Sequence, residues 1–280
     1  MRIDHLLIEA TQRLTPVSDT PRLDAELLLA HLLGRARVWL YTWGDHTLGA
    51  DALERFDGLL AAREQGRPIA YLIGQREFWG LMLATSEATL IPRPDTETLV
   101  EAALARAQRS QGTLLDLGTG SGAIALALAS ERPQWSIVGV DVVAAAVQLA
   151  HDNAARLGLG NVRFLQSDWF AALDAGERFD IIVSNPPYLA DSDPHLEQGD
   201  VRFEPRSALV AAEEGLADLR HLARNAYAYL APQGWLLVEH GMTQGEPVRD
   251  AFQRAGFIDV ETCPDLAGRP RVTLGRSAHG

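Results

Sequence analysis

The run Asn185-Pro186-Pro187-Tyr188, delivered by the apolar stretch Phe179-Asp180-Ile181-Ile182-Val183-Ser184, brings together groups suited to one kind of chemistry. Read plainly, Asn-Pro and Pro-Pro are turn signals that end a strand. Read chemically, the four residues make a cradle for a planar NH2 group. An amide nitrogen shares its lone pair with the carbonyl and is a poor nucleophile, so alkylating it depends on positioning and on excluding water. The side-chain oxygen of Asn185 can accept one N–H and the Pro186 carbonyl the other. Both hydrogens then lie in fixed acceptors, the lone pair is aimed at an electrophilic methyl group, and the positive charge building on nitrogen is accommodated. The prolines hold that carbonyl rigid. Tyr188 offers a flat π-face to an amide or a base. No general base is required before attack, because the methylated amide cation gives up its proton to water afterwards. Asn185, Pro186 and Tyr188 are therefore the expected catalytic residues, and Asn185, Pro186, Pro187 and Tyr188 the expected substrate cradle.

A methyl donor needs its own site, and three earlier segments supply candidates. Leu114-Leu115-Asp116-Leu117-Gly118-Thr119-Gly120-Ser121-Gly122-Ala123 reads as a strand running into a glycine-rich turn and then a helix. Glycines permit the tight turn and let a ligand approach the backbone closely. Gly118, Gly120 and Ala123 also satisfy the pattern G-x-G-x-x-G/A, so the glycines alone fit a nicotinamide dinucleotide equally well. Asp141 ends the apolar strand Ser136-Ile137-Val138-Gly139-Val140 and can accept hydrogen bonds from both ribose hydroxyls of an adenosine. It can also cap the helix that follows, and the two roles are compatible. Asp168 and Trp169 come directly after a third strand candidate, where they could meet the amino group and ring face of adenine; Trp169 could instead pack into the core. The expected cofactor contacts are thus Gly118, Thr119, Gly120, Ser121, Gly122, Asp141, Asp168 and Trp169, with Asn185 shared.

The elements that must position these residues alternate. Thr113 to Leu117, Ser136 to Val140, Val162 to Gln166, Phe179 to Ser184 and Gly234 to Glu239 are strand candidates, separated by helical stretches such as Ala123 to Ser130 and Ala144 to Leu157. That rhythm predicts a parallel sheet covered on both faces. Phe257 to Cys263 and Arg271 to Leu274 close the chain with only a short link, too short for a helical crossover, so this pair must be antiparallel. Upstream, the first 75 or so residues read as helices. Thr20-Pro21 offers an N-cap and a first-turn proline, Leu23, Leu27, Leu28, Leu32 and Leu33 an apolar face, and Gly34 a stop. Leu53, Phe56, Leu59, Leu60 and Arg63 recur at helical spacing until Gly66 and Pro68. Nothing there looks catalytic; the segment is a small packed bundle and a possible docking module. Phe78-Trp79-Gly80-Leu81-Met82-Leu83 suits a hairpin, and Ile91-Pro92-Arg93-Pro94 stiffens the approach to a helix near Asp95. The expected divisions are residues 1–74, a helical substrate-docking domain; 75–92, a hairpin linker; and 93–280, the catalytic domain.

Bulk properties exclude several classes. The 37 Asp and Glu outnumber the 25 Lys and Arg, giving a net charge of -12, and the sequence pI is about 5.1. Such a balance opposes binding to a phosphate backbone. Cys263 is the single cysteine, so neither an intrachain disulfide nor a cysteine-rich metal site can form, and a reducing cytoplasm fits. The N-terminus lacks a signal-peptide layout, no apolar run is long enough for a membrane span, and the eight histidines are scattered without metal-ligand spacing. An adenine-N6 or guanine-N2 methyltransferase acting on DNA or RNA could use the same Asn-Pro-Pro-Tyr cradle on a flipped base, and composition argues against it. A nicotinamide-dependent oxidoreductase would leave Asn185 to Tyr188 without a role.

The glycine loop, the acid at Asp141 and Asn-Pro-Pro-Tyr, in this order, resemble the class I S-adenosylmethionine-dependent methyltransferases. The resemblance narrows with Phe78-Trp79, Leu90 to Glu97, Asp168-Trp169-Phe170 and Gly199-Asp200-Val201-Arg202-Phe203-Glu204-Pro205, which are similar to the PrmC (HemK) family of release-factor glutamine methyltransferases. It covers nearly the whole chain. The resemblance implies a Rossmann-like α/β fold, a mostly parallel seven-stranded sheet with an antiparallel last strand, preceded by the helical bundle and hairpin. It implies N5-methylation of the glutamine in the Gly-Gly-Gln motif of class I peptide chain release factors, with S-adenosylmethionine as donor. The expected partners are those release factors, without direct nucleic-acid or membrane contact, and a monomer is expected. For Arg93, Glu97, Phe203 and Glu204, bracing a loop and serving the site are equally open.

Overall fold

Strand and helix alternate from residue 113 onward in the computed structural model, which describes residues 1–278. Five strands, β3 (Thr113–Leu117), β4 (Ser136–Asp141), β5 (Val162–Gln166), β6 (Phe179–Ser184) and β7 (Leu230–Glu239), pair in parallel. β8 (Ile258–Pro264) and β9 (Pro270–Arg276) follow, and β9 runs antiparallel to both β7 and β8. The order across the seven-stranded sheet is β5-β4-β3-β6-β7-β9-β8. The expected mixed sheet and its antiparallel closing pair are both present.

Near-continuous apolar strands are what a sheet buried on both faces requires. Side chains alternate across it. Leu114, Ile137 and Ile181 face the core shared with α6 (Glu97–Arg106), α7 (Ala123–Glu131) and α8 (Ala144–Leu157). Their neighbours Leu115, Val138 and Ile182 face α10 (Ala217–Asn225) and α11 (Gly245–Arg254), which follow the single helical turn α9 (Ala212–Gly215). Every residue from Ala123 to Ala129 is buried, so α7 is apolar all round and lies inside the fold. Strand order reverses on either side of β3, and the loops leaving β3, β4, β5 and β6 meet at that reversal. Ligands of open α/β sheets bind in such a crevice.

The chain divides into two compact units, residues 76–196 with 204–280, and residues 1–75 with 197–203. In the first, a hairpin of β1 (Gln75–Phe78) and β2 (Leu81–Ala84) turns at Trp79 and Gly80, whose φ values of 53° and 72° make a two-residue turn of the kind that suits strand twist.

The helical unit holds α1 (Ile3–Leu14), α2 (Pro21–Leu33), α3 (Arg37–Thr42), α4 (Ala50–Glu64) and α5 (Ile69–Ile73) around Ile3, Leu7, Leu14, Leu28, Leu29, Phe56 and Leu60. Two details of α2 differ from the sequence reading. Thr20 occupies the N-cap position without a capping hydrogen bond, because its hydroxyl donates to Asp24 at 3.2 Å. Leu23 is exposed while Asp24 and Glu26 are buried. Those carboxylates can face inward because Arg63 pairs with Asp24 at 2.8 Å, and Arg22 and Arg37 with Glu26 at 2.6 and 2.8 Å. A hydrophobicity pattern does not register a buried charge that brings its own partner. The segment 197–203 completes this unit: Asp200 accepts from Arg63 at 3.0 Å, and Arg202 donates to the Gln65 carbonyl at 3.0 Å.

Candidate active site

The loops at the sheet's carboxyl edge open onto a cleft lined by Gly118, Thr119, Gly120, Ser121, Asp141, Asp168, Trp169, Asn185 and Pro187. Phe78, Thr89, Arg93, Thr96, Val142, Ser207 and Asp218 share the lining. Of the residues singled out from sequence, Gly122, Pro186 and Tyr188 lie outside it.

Gly118, Gly120 and Gly122 have φ values of 73°, 55° and 83°, conformations that favour glycine. The loop is pinned by Gly118 and Thr119 N–H groups, both donating to the Val140 carbonyl at 2.9 Å. Gly122 serves packing: a Cβ there would sit 3.0 to 3.2 Å from Leu126, Ala150 and Phe164. Beneath the loop, Asp116 Oδ2 accepts from the Thr119 hydroxyl at 2.6 Å and from Ala125 N–H at 3.2 Å. Burial pushes this carboxyl up to about 7, outweighing those two donors.

Asp141 joins two parts of the cleft. Its Oδ2 accepts from Gly120 N–H and its Oδ1 from Val143 N–H, each at 2.9 Å. The second contact steadies the turn into α8, whose N-cap position is taken by Val143. Each oxygen keeps a lone pair for a further donor. Across the cleft, Trp169 has a φ of 47°, unusual for a non-glycine residue, and Ser167 braces it by donating to the Trp169 carbonyl at 2.8 Å. The Trp169 ring lies over Gly118, 4.0 Å from where a Cβ would be. Asp168 is exposed at the rim.

Asn185 leaves β6 half-buried, and its Nδ2 donates to the Thr96 hydroxyl oxygen at 3.2 Å. That bond occupies the donor end of the side-chain amide and leaves Oδ1 as the acceptor end. Tyr188 turns its hydroxyl to Glu239 Oε1 at 3.2 Å. Glu239 ends β7, is 1% exposed, and burial pushes its carboxyl up to about 7. The same burial, with the Glu239 charge beside it, raises the Tyr188 phenol.

Three of the residues left open from sequence brace loops of this unit. Glu204 is buried, accepts from Ile91 N–H at 3.0 Å and pairs with Arg93, which reaches the cleft. Glu97 accepts from Trp79 N–H at 3.1 Å and so ties the hairpin turn to the start of α6. Phe203 lies under the Arg202 guanidinium, 4.8 Å from its ring centroid, in the helical unit.

Residues 5–74 match the PrmC N-terminal domain family, and residues 108–256 match a methyltransferase domain family. The release factor glutamine methyltransferase of Escherichia coli strain K12 is 54% identical over 276 residues, which span 99% of each chain. The chain belongs to the release factor glutamine methyltransferase family. The release factor glutamine methyltransferase of Vibrio cholerae serotype O1 is 52% identical over 275 residues, 98% of this chain and 96% of that one. At the level of fold, a methyltransferase from Pyrococcus furiosus superposes with a TM-score of 0.54 at 18% identity, covering 72% of this chain and 90% of that one. The catalytic domain of hMettl16, in complex with a MAT2A 3'UTR hairpin, gives 0.60 at 17% identity over 79% and 82%. At such identities the likeness speaks for the fold alone. Among the described residues, no helix is long and apolar enough to cross a membrane, and no cluster of His, Cys, Asp or Glu could hold a metal ion.

Sequence reasoning about this methyltransferase missed Thr96, Glu239 and Asn153. Asn153, 1% exposed, donates to the Ser121 carbonyl at 2.9 Å and to the Ala84 carbonyl at 3.1 Å, and accepts from Ala84 N–H at 2.7 Å. It clips the glycine loop to the end of β2. A polar residue on the otherwise buried stripe of Ala146, Ala150 and Ala154 was the available signal.

Proposed function

We propose that this chain transfers the methyl group of S-adenosylmethionine to the side-chain amide nitrogen of the glutamine in the Gly-Gly-Gln motif of class I peptide chain release factors, giving N5-methylglutamine. The single observation that carries this reading is the tethered amide of Asn185. With Nδ2 committed to Thr96, Oδ1 is the atom offered at the cleft, and it is an acceptor matched to an incoming NH2 group.

The residues present fit the donor. Asp141 has lone pairs to spare for two ribose hydroxyls, Trp169 covers the floor that Gly118 leaves free of a Cβ, and Asp168 stands at the rim for an exocyclic amino group. Gly118, Thr119, Gly120 and Ser121 would hold the donor's amino-acid end by backbone approach, with Gly122 packing the loop down. When bound, S-adenosylmethionine supplies an electrophilic methyl on a sulfonium. This chain's residues do the rest: Asn185 Oδ1 and the Pro186 carbonyl take the two amide hydrogens and fix the nitrogen's direction, which is where most of the acceleration of such a transfer must arise. Pro187 keeps water from the planar group. Tyr188, anchored through its hydroxyl and set behind the cleft lining, would present its ring to the amide once the substrate glutamine reaches past Pro187.

The helical domain, residues 1–74, docks the release factor, the 75–92 hairpin links, and 93–280 performs the transfer. A protein partner of this kind is compatible with a chain of net charge -12. The test is incubation of the protein with labelled donor and a purified release factor, followed by mapping of the modified residue by mass spectrometry. One methyl group on the Gly-Gly-Gln glutamine is the expected result. A methyl group on any other residue, or only on nucleic acid, would overturn the proposal.

A further inference from the structure

The middle of the Asn-Pro-Pro-Tyr run cannot be held by its own backbone donors, because Pro186 and Pro187 have no N–H. The direction of the Pro186 carbonyl therefore depends on how firmly the chain is fixed where it leaves the prolines. That exit is Tyr188. Its N–H donates to the Leu209 carbonyl at 3.2 Å, Leu189 N–H donates to the same carbonyl at 2.9 Å, and Ala211 N–H donates to the Leu189 carbonyl at 3.0 Å. The Tyr188 carbonyl turns elsewhere and accepts from Gln244 Nε2 at 3.0 Å.

Gln244 occupies the N-cap position of α11, where a glutamine is not a preferred residue, and its side chain does not cap that helix. Both ends of its amide are committed to other segments. Oε1 accepts from Gly241 N–H at 2.9 Å, and the Gly241 carbonyl accepts from the Gln244 N–H at 2.9 Å, which closes a tight turn. Gly241 N–H can only donate and the Tyr188 carbonyl can only accept, so the two backbone partners allow the amide one orientation. His240, fully buried at the end of β7, ties this turn to the sheet: Nδ1 lies 2.9 Å from the Gly241 carbonyl and Nε2 lies 2.8 Å from the Thr273 hydroxyl on β9.

A second segment closes on the same carbonyl. Glu213, Glu214 and Gly215 take left-handed conformations in succession, with φ values of 54°, 56° and 81°, which a chain of L-residues adopts only at a cost. This turn lays bare backbone against Tyr188. A Cβ on Gly215 would sit 2.1 Å from the Tyr188 oxygen and 2.9 Å from Gln244 Nε2.

We infer that Gln244 is a positioning residue for methyl transfer: its side-chain amide locks the Tyr188 carbonyl, and with it the exit of the two prolines, so that the Pro186 carbonyl keeps the direction in which it receives a substrate N–H. The inference deepens the proposed function and rests on its reading of Pro186 as an acceptor.

The experiment compares Gln244→Glu and Gln244→Leu with the parent in two measurements. The first is steady-state methylation of a purified release factor, resolved into kcat and KM across pH, with S-adenosylmethionine affinity measured separately. Gln244→Leu has no donor for Tyr188, so kcat should fall roughly 10- to 100-fold at every pH while donor affinity holds. Gln244→Glu keeps the shape. Ionised, it sets a carboxylate against the Tyr188 carbonyl; protonated, it can donate to that carbonyl and still accept from Gly241. Its kcat relative to the parent should therefore match the Leu variant near about pH 8 and climb as pH falls toward the carboxyl's own range. Titratable groups on the elements around Gln244, namely Tyr188, Glu213, Glu214, Glu239, His240, Glu246 and Arg249, are common to all three proteins and drop out of that ratio. The second measurement is the carbonyl 13C resonance of Tyr188 in protein saturated with S-adenosylhomocysteine, which should move upfield in Gln244→Leu and should follow pH in Gln244→Glu. Parent kcat in Gln244→Leu would overturn the inference, as would an unmoved Tyr188 resonance, or equal and pH-independent losses in both variants, which would reduce Gln244 to packing. A parent that binds donor but does not methylate glutamine would sink the function reading alone, because the Tyr188 resonance tests the clamp without turnover.

Discussion

Around the donor end of the cleft the hydrogen bonds run to backbone groups, from Gly120 and Val143 to Asp141 and from Gly118 and Thr119 to Val140. Beneath the Asn-Pro-Pro-Tyr run the polar contacts run between side chains, from Asn185 to Thr96, from Tyr188 to Glu239 and from Arg271 to Asp95, drawn from segments far apart in the chain. The donor end is a glycine turn that a short stretch of sequence can build wherever a strand precedes a helix. The floor under Asn185 exists only once three strands and a turn have come together. Damage to the first should register as weaker donor binding, because on the proposed reading its groups are the ones that would touch the donor, and they leave the angle of the amide alone. Damage to the second should register as slower transfer, because a low-dielectric polar network holds geometry and little else changes when it loosens.

The largest expected effect comes from Asn185→Ala. Removing the acceptor for a developing positive charge should lower kcat by about 10²- to 10³-fold, with the fold retained and S-adenosylmethionine affinity weakened far less than turnover, as read by calorimetry and single-turnover rates. An active Asn185→Ala protein would end the comparison, since no other side chain in the cleft could then be credited with aiming the nitrogen. Asp141→Ala should act the other way. Losing charge-assisted bonds to two hydroxyls corresponds to a donor affinity roughly 10- to 100-fold weaker, while kcat at saturating donor stays near the parent's. If Asp141→Ala instead lowered kcat with affinity intact, the division between a binding end and a positioning floor would be false.

The same division explains what could be read from sequence. Gly118 to Gly122, Asp141, Asp168-Trp169 and Asn185-Pro186-Pro187-Tyr188 each follow directly on a strand, so local pattern alone delivers them to one edge of the sheet, and the antiparallel tail followed from the brevity of the link between β8 and β9. Thr96 and Glu239 carry no local mark: one sits in a proline-rich turn and the other at the end of an apolar strand, and only the register of β6 beside β7 brings Glu239 under Tyr188. The side of Tyr188 that matters to the floor, its hydroxyl, was equally invisible, since the motif suggested only a ring face. In the helical unit the periodicity gave α2 and α4 but left α1, α3 and α5 without bounds, and Leu23 and Asp24 exchanged places on α2 because Arg63 arrives from α4 to neutralise a buried acid. The return of residues 197–203 to that unit likewise rests on ion pairing that no hydrophobic period announces.

The smallest effect is also the one that isolates the floor most cleanly, a pH dependence of stability. Glu239 is faced by Tyr188, Thr96, Arg271 and Asp95, with His240 next in the chain, and desolvation outweighs the Arg271 charge so that its carboxyl titrates near 7 in the fold. A carboxyl whose folded pKa lies above its ordinary value favours the fold while protonated and loses that contribution as pH rises between the two values. In the parent, stability from Glu239 should therefore decline from about pH 4.5 to about pH 7. Asp116, raised by burial to about 7, declines over a similar window, and His240, depressed by burial, works oppositely below its usual value. Both are shared by parent and variant. Taking the difference in unfolding free energy between Glu239→Gln and the parent at each pH removes them and leaves the Glu239 contribution. That difference should move in favour of the variant from pH 5 to pH 8 and level off above, as followed by urea unfolding of donor-free protein. A flat difference would mean that the carboxyl is already ionised throughout this range, held by the groups around it more firmly than its burial opposes.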